Sequence, residues 1–353
     1  MPQVLVLGGG QAGLAAGYFL RRAGLSFQLL DAGPAQGGAW QHGWDTLTLF
    51  SPAQHNALPG WAMPPLPGGG FPGRDAVIAY LAAYEARYAI PVLRPVRVTG
   101  LHRAAAGLRA EAEDGRSWTA PAVISATGTW SAPHLPDLPG RARFAGRQIH
   151  SAQYRRPQDF AGQRVLVVGG GNSGAQVMAD LDGHAAALAW VTERPPVFLP
   201  PEVDGRVLFE RATARWQAAR QGLPPPEGLP AGGLGNIVQV PAVAAARARG
   251  LLEGRPPLAR LEARGGVWPD GARFEADAII WCTGFRPALD HLAPLGLEAG
   301  PAGAPVAVTA SGRCLAEPRL WLLGYGDWTG AASATLAGVT RAARQVVAEI
   351  AAT

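Results

Sequence analysis

The residues most indicative of chemistry belong to two glycine motifs with the spacing G-x-G-x-x-G. The motif glycines are Gly8, Gly10 and Gly13 in the first copy and Gly169, Gly171 and Gly174 in the second. Each motif follows a short apolar run, QVLVL or RVLVV, and precedes a segment with helical spacing of apolar residues. Such a turn between a strand and a helix directs backbone N–H groups and the helix dipole at a pyrophosphate. One motif in a glycine-rich chain is weak evidence, but two with the same flanks predict two bound dinucleotides.

The two sites are expected to hold different cofactors. The economical pairing is FAD at the first turn and a nicotinamide, NADPH or NADH, at the second, since hydride then passes from one ring to the other. The turn residues beside the glycines are further candidates for cofactor contacts: Gln11 and Ala12 in the first turn, and Asn172 and Ser173 in the second.

Charged residues at the end of the next strand predict which ribose each site accepts. Asp31 lies 18 residues beyond Gly13, near the distance at which a carboxylate accepts from a ribose 2'-hydroxyl. The second unit has Glu193 and Arg194 at the equivalent corner. A carboxylate suits the free 2'-hydroxyl of NADH, whereas an arginine pairs with the 2'-phosphate of NADPH. We therefore predict NADPH use with appreciable NADH activity, the alternative being an exposed surface ion pair.

The order of the elements predicts an α/β fold with two Rossmann-like dinucleotide-binding domains, the second inserted into the first. Two apolar runs, AVISATGTW and AIIWCTGFRP, each end in Thr-Gly and bracket the second glycine motif. The predicted domains are 1–130 with 284–353 for FAD and 131–283 for NAD(P)H, the latter with a Pro/Gly-rich insertion at 195–240. That insertion either faces the active site or is a surface excursion.

Composition excludes several classes of function. All 31 basic residues are arginine, which removes P-loop and Schiff-base lysine chemistry, and they form no run typical of nucleic-acid binding. The two cysteines, Cys282 and Cys314, are 32 residues apart, a spacing that predicts neither a metal site nor a dithiol. Without a dithiol, the electrons of a reduced flavin must pass to oxygen, a quinone or a protein. No targeting or membrane-spanning pattern occurs, so the expected location is the cytoplasm, away from membranes.

A third motif lies just before the second glycine turn. Phe144, Gly146, His150 and Tyr154 form the pattern F-x-G-x-x-x-H-x-x-x-Y, which resembles the fingerprint of the flavin-containing monooxygenases and their Baeyer-Villiger relatives. Other matching positions are GGAW with Gly38 and Trp40, GYGDW with Asp327, and the Thr127-Gly128 and Thr283-Gly284 linkers. The resemblance covers essentially the whole chain and is closest to small bacterial members that use either nicotinamide.

The resemblance implies a disulfide-reductase-like flavoprotein architecture and a catalytic cycle. NAD(P)H reduces FAD, O2 adds at flavin C4a, and the hydroperoxide transfers one oxygen atom to a small organic substrate. Sulfides, and some ketones through Baeyer-Villiger oxidation, are the implied substrates. The alternative is an NAD(P)H oxidase or flavoprotein reductase without oxygen insertion. A homodimer is compatible with the sequence.

Three residues are candidates at the reaction centre. The family implies that His150 serves the hinge and the nicotinamide region more than proton transfer. Many members have an asparagine beside the flavin where this chain has Phe50 and Ser51. An amide that could stabilise the peroxide is missing there, so more electrons are expected to be lost as hydrogen peroxide.

Overall fold

The fold was obtained as a computed structural model that describes residues 1–224, 236–300 and 303–353. The strands are β1 (Val4–Leu7), β2 (Phe27–Leu30), β3 (Val92–Leu93), β4 (Val98–Ala104), β5 (Gly107–Ala112), β6 (Ser117–Ala120), β7 (Ala122–Ser125), β8 (Arg147–His150), β9 (Arg164–Val168), β10 (Ala187–Val191), β11 (Arg260–Glu262), β12 (Gly265–Val267), β13 (Arg273–Glu275), β14 (Ala278–Trp281) and β15 (Leu320–Leu322). The helices are α1 (Gln11–Arg22), α2 (Arg74–Arg87), α3 (Asn172–Leu181), α4 (Gly205–Arg220), α5 (Pro241–Ala248) and α6 (Leu336–Ala351).

Two parallel sheets organise the molecule. The first has the strand order β15-β7-β1-β2-β3 and the second the order β10-β9-β14-β8. Their central strands, such as β1 and β14, are buried along their whole length, as expected for strands covered on both faces. Because β15 comes after the second sheet in the chain yet pairs with β7, the chain leaves the first sheet and returns to it. The predicted α/β class with two dinucleotide-binding units is confirmed.

The two passages between the sheets run side by side. The segment after β7 and the segment after β14 form an antiparallel bridge at Pro133 and Phe285. Backbone hydrogen bonds of 2.8 and 2.9 Å extend it, from Arg286 to Ala132 and from His134 to Gly284. The predicted boundaries at 130 and 283 fall at this paired stretch, which we call the linker ribbon (residues 128–134 and 283–288). The division into two domains stays a prediction.

Part of the predicted insertion at 195–240, residues 225–235, lies outside the described residues. In the remainder, the segment around Leu199 pairs with Ile237, and α4 follows it. Gly205 at the start of α4 donates its N–H to Phe50 O at 2.7 Å, and Thr213 accepts from Arg341 of α6 at 3.1 Å. The insertion therefore contacts elements that pack on the first sheet.

Candidate functional site

The first glycine turn is shaped by close backbone contacts. A Cβ on Gly8 would lie 2.3 Å from Ala126 O, and one on Gly13 would lie 1.9 Å from Gly8 O, so neither position accepts a side chain. Gly10, the residue before α1, has only Gly38 Cα as a near neighbour, at 3.8 Å from its Cβ position. Helix α1 begins without a side-chain cap, so no capping side chain takes up its first N–H groups. This arrangement fits the pyrophosphate of FAD.

The second turn repeats this packing. A Cβ on Gly169 would lie 2.1 Å from Cys282 O, and one on Gly174 would lie 2.0 Å from Gly169 O. A Cβ on Gly171 would meet nothing within 4 Å among the described residues, and α3 also begins without a side-chain cap. The second turn therefore fits the pyrophosphate of a nicotinamide dinucleotide in the same way.

The GGAW segment lies directly against the first turn. Gly38 has φ +53°, and a Cβ there would lie 2.7 Å from Gly10 Cα. The Trp40 Nε1–H donates to Gln11 Oε1 at 3.5 Å, while the Gln11 Nε2–H donates to Ala334 O at 2.7 Å. The structure thus brings these three predicted contacts together at the start of α1.

Asp31 ends β2 beside this turn and is 8% exposed. A Cβ on Gly9 would lie 2.8 Å from Asp31 Oδ2, so the carboxylate packs against the turn. The same oxygen accepts a 2.8 Å hydrogen bond from Nε of Arg94. Sequence reasoning missed Arg94, which is 63 residues away in the chain.

A buried polar chain lies under the first turn where β7 ends. The Thr127 Oγ1–H donates to Ala288 O at 2.7 Å, so Thr127 accepts from the Tyr325 hydroxyl, 2.7 Å away. Tyr325 in turn accepts from Ser125 Oγ at 2.6 Å, and Ser125 accepts from His291 Nε2 at 3.0 Å. Burial lowers the pKa of His291 to about 4, so the ring is neutral at pH 7. Sequence reasoning had assigned no role to His291 or Tyr325.

The remaining predicted residues on the FAD side flank this chain. Ala12 of α1 packs against Gly324, whose Cβ would approach it to 2.7 Å. The Gly128 carbonyl accepts a hydrogen bond from the Ala288 N–H at 2.9 Å. Asp327 is exposed, and its Oδ1 accepts the Ala332 N–H at 3.0 Å.

His150 joins the second sheet to the linker ribbon. Its Nε2 lies 3.0 Å from Gly284 O, which only accepts, so Nε2 carries the proton. Its Nδ1 accepts the Ala152 N–H at 3.1 Å. Burial lowers the pKa of His150. The Nε2–H is thus bound to the linker ribbon and the Nδ1 lone pair to Ala152, so neither ring nitrogen is free to accept a proton from a substrate in this arrangement.

The other residues of the third motif have packing roles. A Cβ on Gly146 would lie 2.4 Å from Asp277 O and 2.5 Å from the Phe144 ring, which explains why that ring sits over a glycine. The buried Tyr154 hydroxyl donates to Asp180 Oδ2 at 2.6 Å. Asp180 Oδ1 accepts from the Thr46 hydroxyl at 2.9 Å. The motif therefore connects the second sheet to the loop that follows GGAW.

Phe50 and Ser51 lie at the end of that loop. Phe50 packs against the core of the second unit, and Ser51 is 7% exposed. The Asn56 amide, which sequence reasoning missed, donates to Ser51 O, Ser51 Oγ and Pro52 O, each at 2.9 Å. A buried amide thus exists five residues beyond Ser51, but its N–H groups are committed to this turn.

Of the residues predicted to contact the nicotinamide dinucleotide, some are hydrogen-bonded within the protein and others are exposed. The Asn172 amide bridges Asn236 O at 3.0 Å and the Val238 N–H at 2.9 Å, which anchors the end of the insertion, and Ser173 follows it in α3. Thr283 donates to His134 O within the linker ribbon. Glu193 and Arg194 are exposed, and within the described part of the chain neither side chain has an ion-pair or hydrogen-bond partner. The two do not form the surface ion pair weighed as the alternative.

Neither cysteine forms a disulfide. Burial raises the pKa of the Cys282 thiol to about 12, and Cys314 is buried. Within the described ranges, no group of three His, Cys, Asp or Glu side chains is arranged to hold a metal ion. Nor does any helix of these ranges combine the length and apolar character needed to cross a membrane.

Comparisons with known proteins place these features in a family. The family model described as pyridine nucleotide-disulphide oxidoreductase matches residues 5–199. A flavin-containing monooxygenase from Stenotrophomonas maltophilia is 51% identical over 99% of this chain and 98% of its own, with a TM-score of 0.89. The chain belongs to the flavin-containing monooxygenases. The family resemblance inferred from the third motif is confirmed.

More distant relatives agree with this membership. Indole-3-pyruvate monooxygenase YUCCA1 of Oryza sativa subsp. japonica is 32% identical over 61% of this flavin-containing monooxygenase and 54% of its own length. The chain spans 54 to 60% of the length of the first curated relatives that it matches. Cyclohexanone monooxygenase, 16% identical with a TM-score of 0.72 over 99% of this chain and 86% of its own, shares the fold.

Proposed function

We propose that this protein is an FAD-dependent, NAD(P)H-dependent monooxygenase that oxygenates small organic substrates such as sulfides. The observation that carries the proposal is the pair of matching glycine turns, each open above its middle glycine and joined to the other by the linker ribbon. The reaction is sulfide + O2 + NAD(P)H + H⁺ → sulfoxide + H2O + NAD(P)⁺. When bound, the flavin accepts hydride from the reduced nicotinamide and activates O2 for transfer of one oxygen atom.

The protein's own residues supply binding, orientation and exclusion of water. The turns with Gly10 and Gly171 offer N–H groups to the two pyrophosphates. We assign Asp31 to the ribose of FAD, and Trp40 of GGAW and Asp327 of GYGDW to further contacts with the same cofactor. His150 holds the linker ribbon between the two sites through Gly284 O. The lone pair of the neutral ring, on Nδ1, accepts the Ala152 N–H, which fits a positioning role and leaves no general base at that position.

The choice of nicotinamide is assigned to Glu193 and Arg194. Both are exposed next to the second turn, where a Cβ on Gly170 would lie 3.8 Å from Arg194 O. Because neither side chain is tied to another described residue, each is free to reorient toward the 2'-position of a bound dinucleotide. We infer that Arg194 pairs with the phosphate of NADPH and Glu193 with the hydroxyl of NADH.

A second function, NAD(P)H oxidation that releases hydrogen peroxide, is favoured by one observation. The amide of Asn56 is committed to Ser51 and Pro52, and an aromatic ring stands at Phe50. The buried amide of this loop is then not free to stabilise a bound peroxide oxygen, so part of the reducing power would escape as peroxide.

The test measures three quantities in one reaction with methyl phenyl sulfide: oxygen consumed, peroxide released and sulfoxide formed. We expect sulfoxide to account for most of the oxygen consumed. Gly171→Val is the matched control, because it crowds the open second turn without touching the first and should slow flavin reduction under anaerobic conditions. Peroxide equal to the oxygen consumed, with no sulfoxide, would overturn the oxygenation and leave the oxidase.

A further inference from the structure

Arg94 lies between two carboxylates at the edge of the first sheet. It comes directly after β3, and its Nε donates to Asp31 Oδ2 at 2.8 Å. Its two terminal nitrogens, Nη1 and Nη2, donate to the two oxygens of Glu85 of α2 at 2.7 and 2.6 Å. The side chains of Arg94, Asp31 and Glu85 are 9, 11 and 13% exposed. Together they form a buried ionic cluster, which we call the Arg94 cluster.

The cluster needs all of its hydrogen bonds. A buried charge is costly unless it is paired, and a planar guanidinium fork can pair with two carboxylates at once where an ammonium cannot. Burial alone would lower the pKa of Arg94, but its hydrogen bonds to Glu85 and Asp31 raise the pKa above its usual value. With one positive and two negative groups, the cluster keeps one negative charge beside the first glycine turn.

The arrangement leaves one oxygen of Asp31 for a ligand. Oδ2 is bound by Arg94 and packs against Gly9. Among described contacts, Oδ1 has a single long hydrogen bond, from the Gly33 N–H at 3.4 Å. Because Arg94 fixes the rotation of the carboxylate through Oδ2, the direction of Oδ1 is fixed as well. A retained acceptor of fixed direction is what recognition of one hydroxyl requires.

We propose that Arg94 is a positioning residue for FAD, which holds Asp31 so that Oδ1 accepts from the 2'-hydroxyl of the adenosine ribose, and that Glu85 holds Arg94. The inference rests on the proposed placement of FAD at the first turn. The backbone supports the same geometry, since Asp31 N–H donates to Leu93 O and Val96 N–H donates to Asp31 O. Strand β3 and helix α2 therefore act on the cofactor through one side chain.

The test compares two flavins on the same apoprotein, FAD and its analogue that lacks the adenosine 2'-hydroxyl. Dissociation constants come from quenching of flavin fluorescence, and the ratio of the two constants is the readout. The wild-type protein is expected to bind FAD about tenfold more tightly than the analogue, as one hydrogen bond to a charged group predicts. In Arg94→Gln the ratio is expected to fall to about twofold or less, because Asp31 is no longer oriented.

Matched variants separate positioning from general damage. Arg164→Gln removes an arginine that also pairs with two carboxylates, Asp277 and Glu275, but on the exposed edge of the second unit, and should keep the wild-type ratio. Glu85→Gln keeps the Asp31 and Arg94 side chains but weakens the hydrogen bonds that hold Arg94, so it should also lower the ratio. It replaces Arg94→Gln in the test if that variant does not fold.

Two results would overturn the proposal: a wild-type protein that binds both flavins equally, or variants at positions 94 and 85 that keep the wild-type ratio. A wild-type protein that shows the tenfold ratio but forms no sulfoxide would count against the proposed monooxygenase activity alone.

Discussion

The two glycine turns share their packing and differ at the corner that meets the ribose. In both turns, the first glycine packs against a backbone carbonyl just after a neighbouring strand. The last glycine of each turn packs against the carbonyl of the first glycine. At the first turn the adjacent acid, Asp31, is buried and bound by Arg94. At the second turn Glu193 and Arg194 are exposed and bound by no other described side chain. The difference fits a cofactor that stays at the first turn and one that exchanges at the second.

The largest effect should come from breaking the packing that the turns share. Gly174→Ala places a Cβ 2.0 Å from Gly169 O and should lower the free energy of unfolding by about 3 kcal/mol. Gly171→Ala meets open space, so it should leave that free energy close to wild type while raising the KM for the nicotinamide. Urea unfolding followed by circular dichroism checks both. Equal losses of stability in the two variants would show that Gly174 is no more important for packing than Gly171.

A second expected effect is a loss of stability in acid that originates in the first unit, at His291. Burial lowers the pKa of His291, in the first unit, to about 4, whereas the unfolded side chain titrates near its ordinary value of 6.5. Between these values the unfolded state binds a proton that the folded state does not, so stability falls as the pH falls through this window. His291 should contribute about 3 kcal/mol of this loss.

His291→Gln is the matched variant for that effect, because its amide can still donate to Ser125. Unfolding free energies of both proteins at pH 7 and pH 4.5 give the measurement. The wild-type protein should lose more stability between these values than the variant does. The same loss in both proteins would mean that other groups carry the acid sensitivity.

The difference at the ribose corner predicts a smaller, selective effect. Arg194→Ala should raise the KM for NADPH about tenfold and change the KM for NADH little, since only NADPH has the 2'-phosphate. Glu193→Gln should act mainly on NADH. Steady-state kinetics with both nicotinamides provide the check. If Arg194→Ala affects both cofactors alike, Arg194 does not face the 2'-phosphate.

The smallest effect is expected where an arginine cluster is exposed. Arg164 pairs with Asp277 and Glu275, but these side chains are 34, 43 and 56% exposed, against 9 to 13% in the Arg94 cluster. Solvent screens exposed pairs, so Arg164→Gln should lower Tm only slightly. Thermal unfolding of Arg164→Gln beside Arg94→Gln measures the contrast. A larger loss in Arg164→Gln would reverse this ranking.

Local pattern predicted the elements that carry the site. The apolar runs before the two glycine motifs became β1 and β9, and the segments with helical spacing after them became α1 and α3. Glycine spacing is in part a local property, because the last glycine of each motif packs on the first, five residues earlier in the chain. Fold class and family could therefore be predicted from the sequence.

The contacts that finish the site were not predictable in this way. Arg94 reaches Asp31 across 63 residues, and Tyr325 reaches Ser125 across 200. Arginine and tyrosine are common at many positions, and their roles here depend on which strand ends lie side by side in the folded sheet. The Asn56 amide is only five residues from Ser51, but no spacing rule marks a side chain that turns back on its own loop.

The linker ribbon also brings the exit from the first sheet close to the return to it. Residues 132–134 and 284–286 are hydrogen-bonded to each other, so the two passages lie about one strand spacing apart, roughly 5 Å. A loop of a few residues would span that gap. Every strand of the first sheet lies before the first passage or after the second, so such a loop would leave their order unchanged.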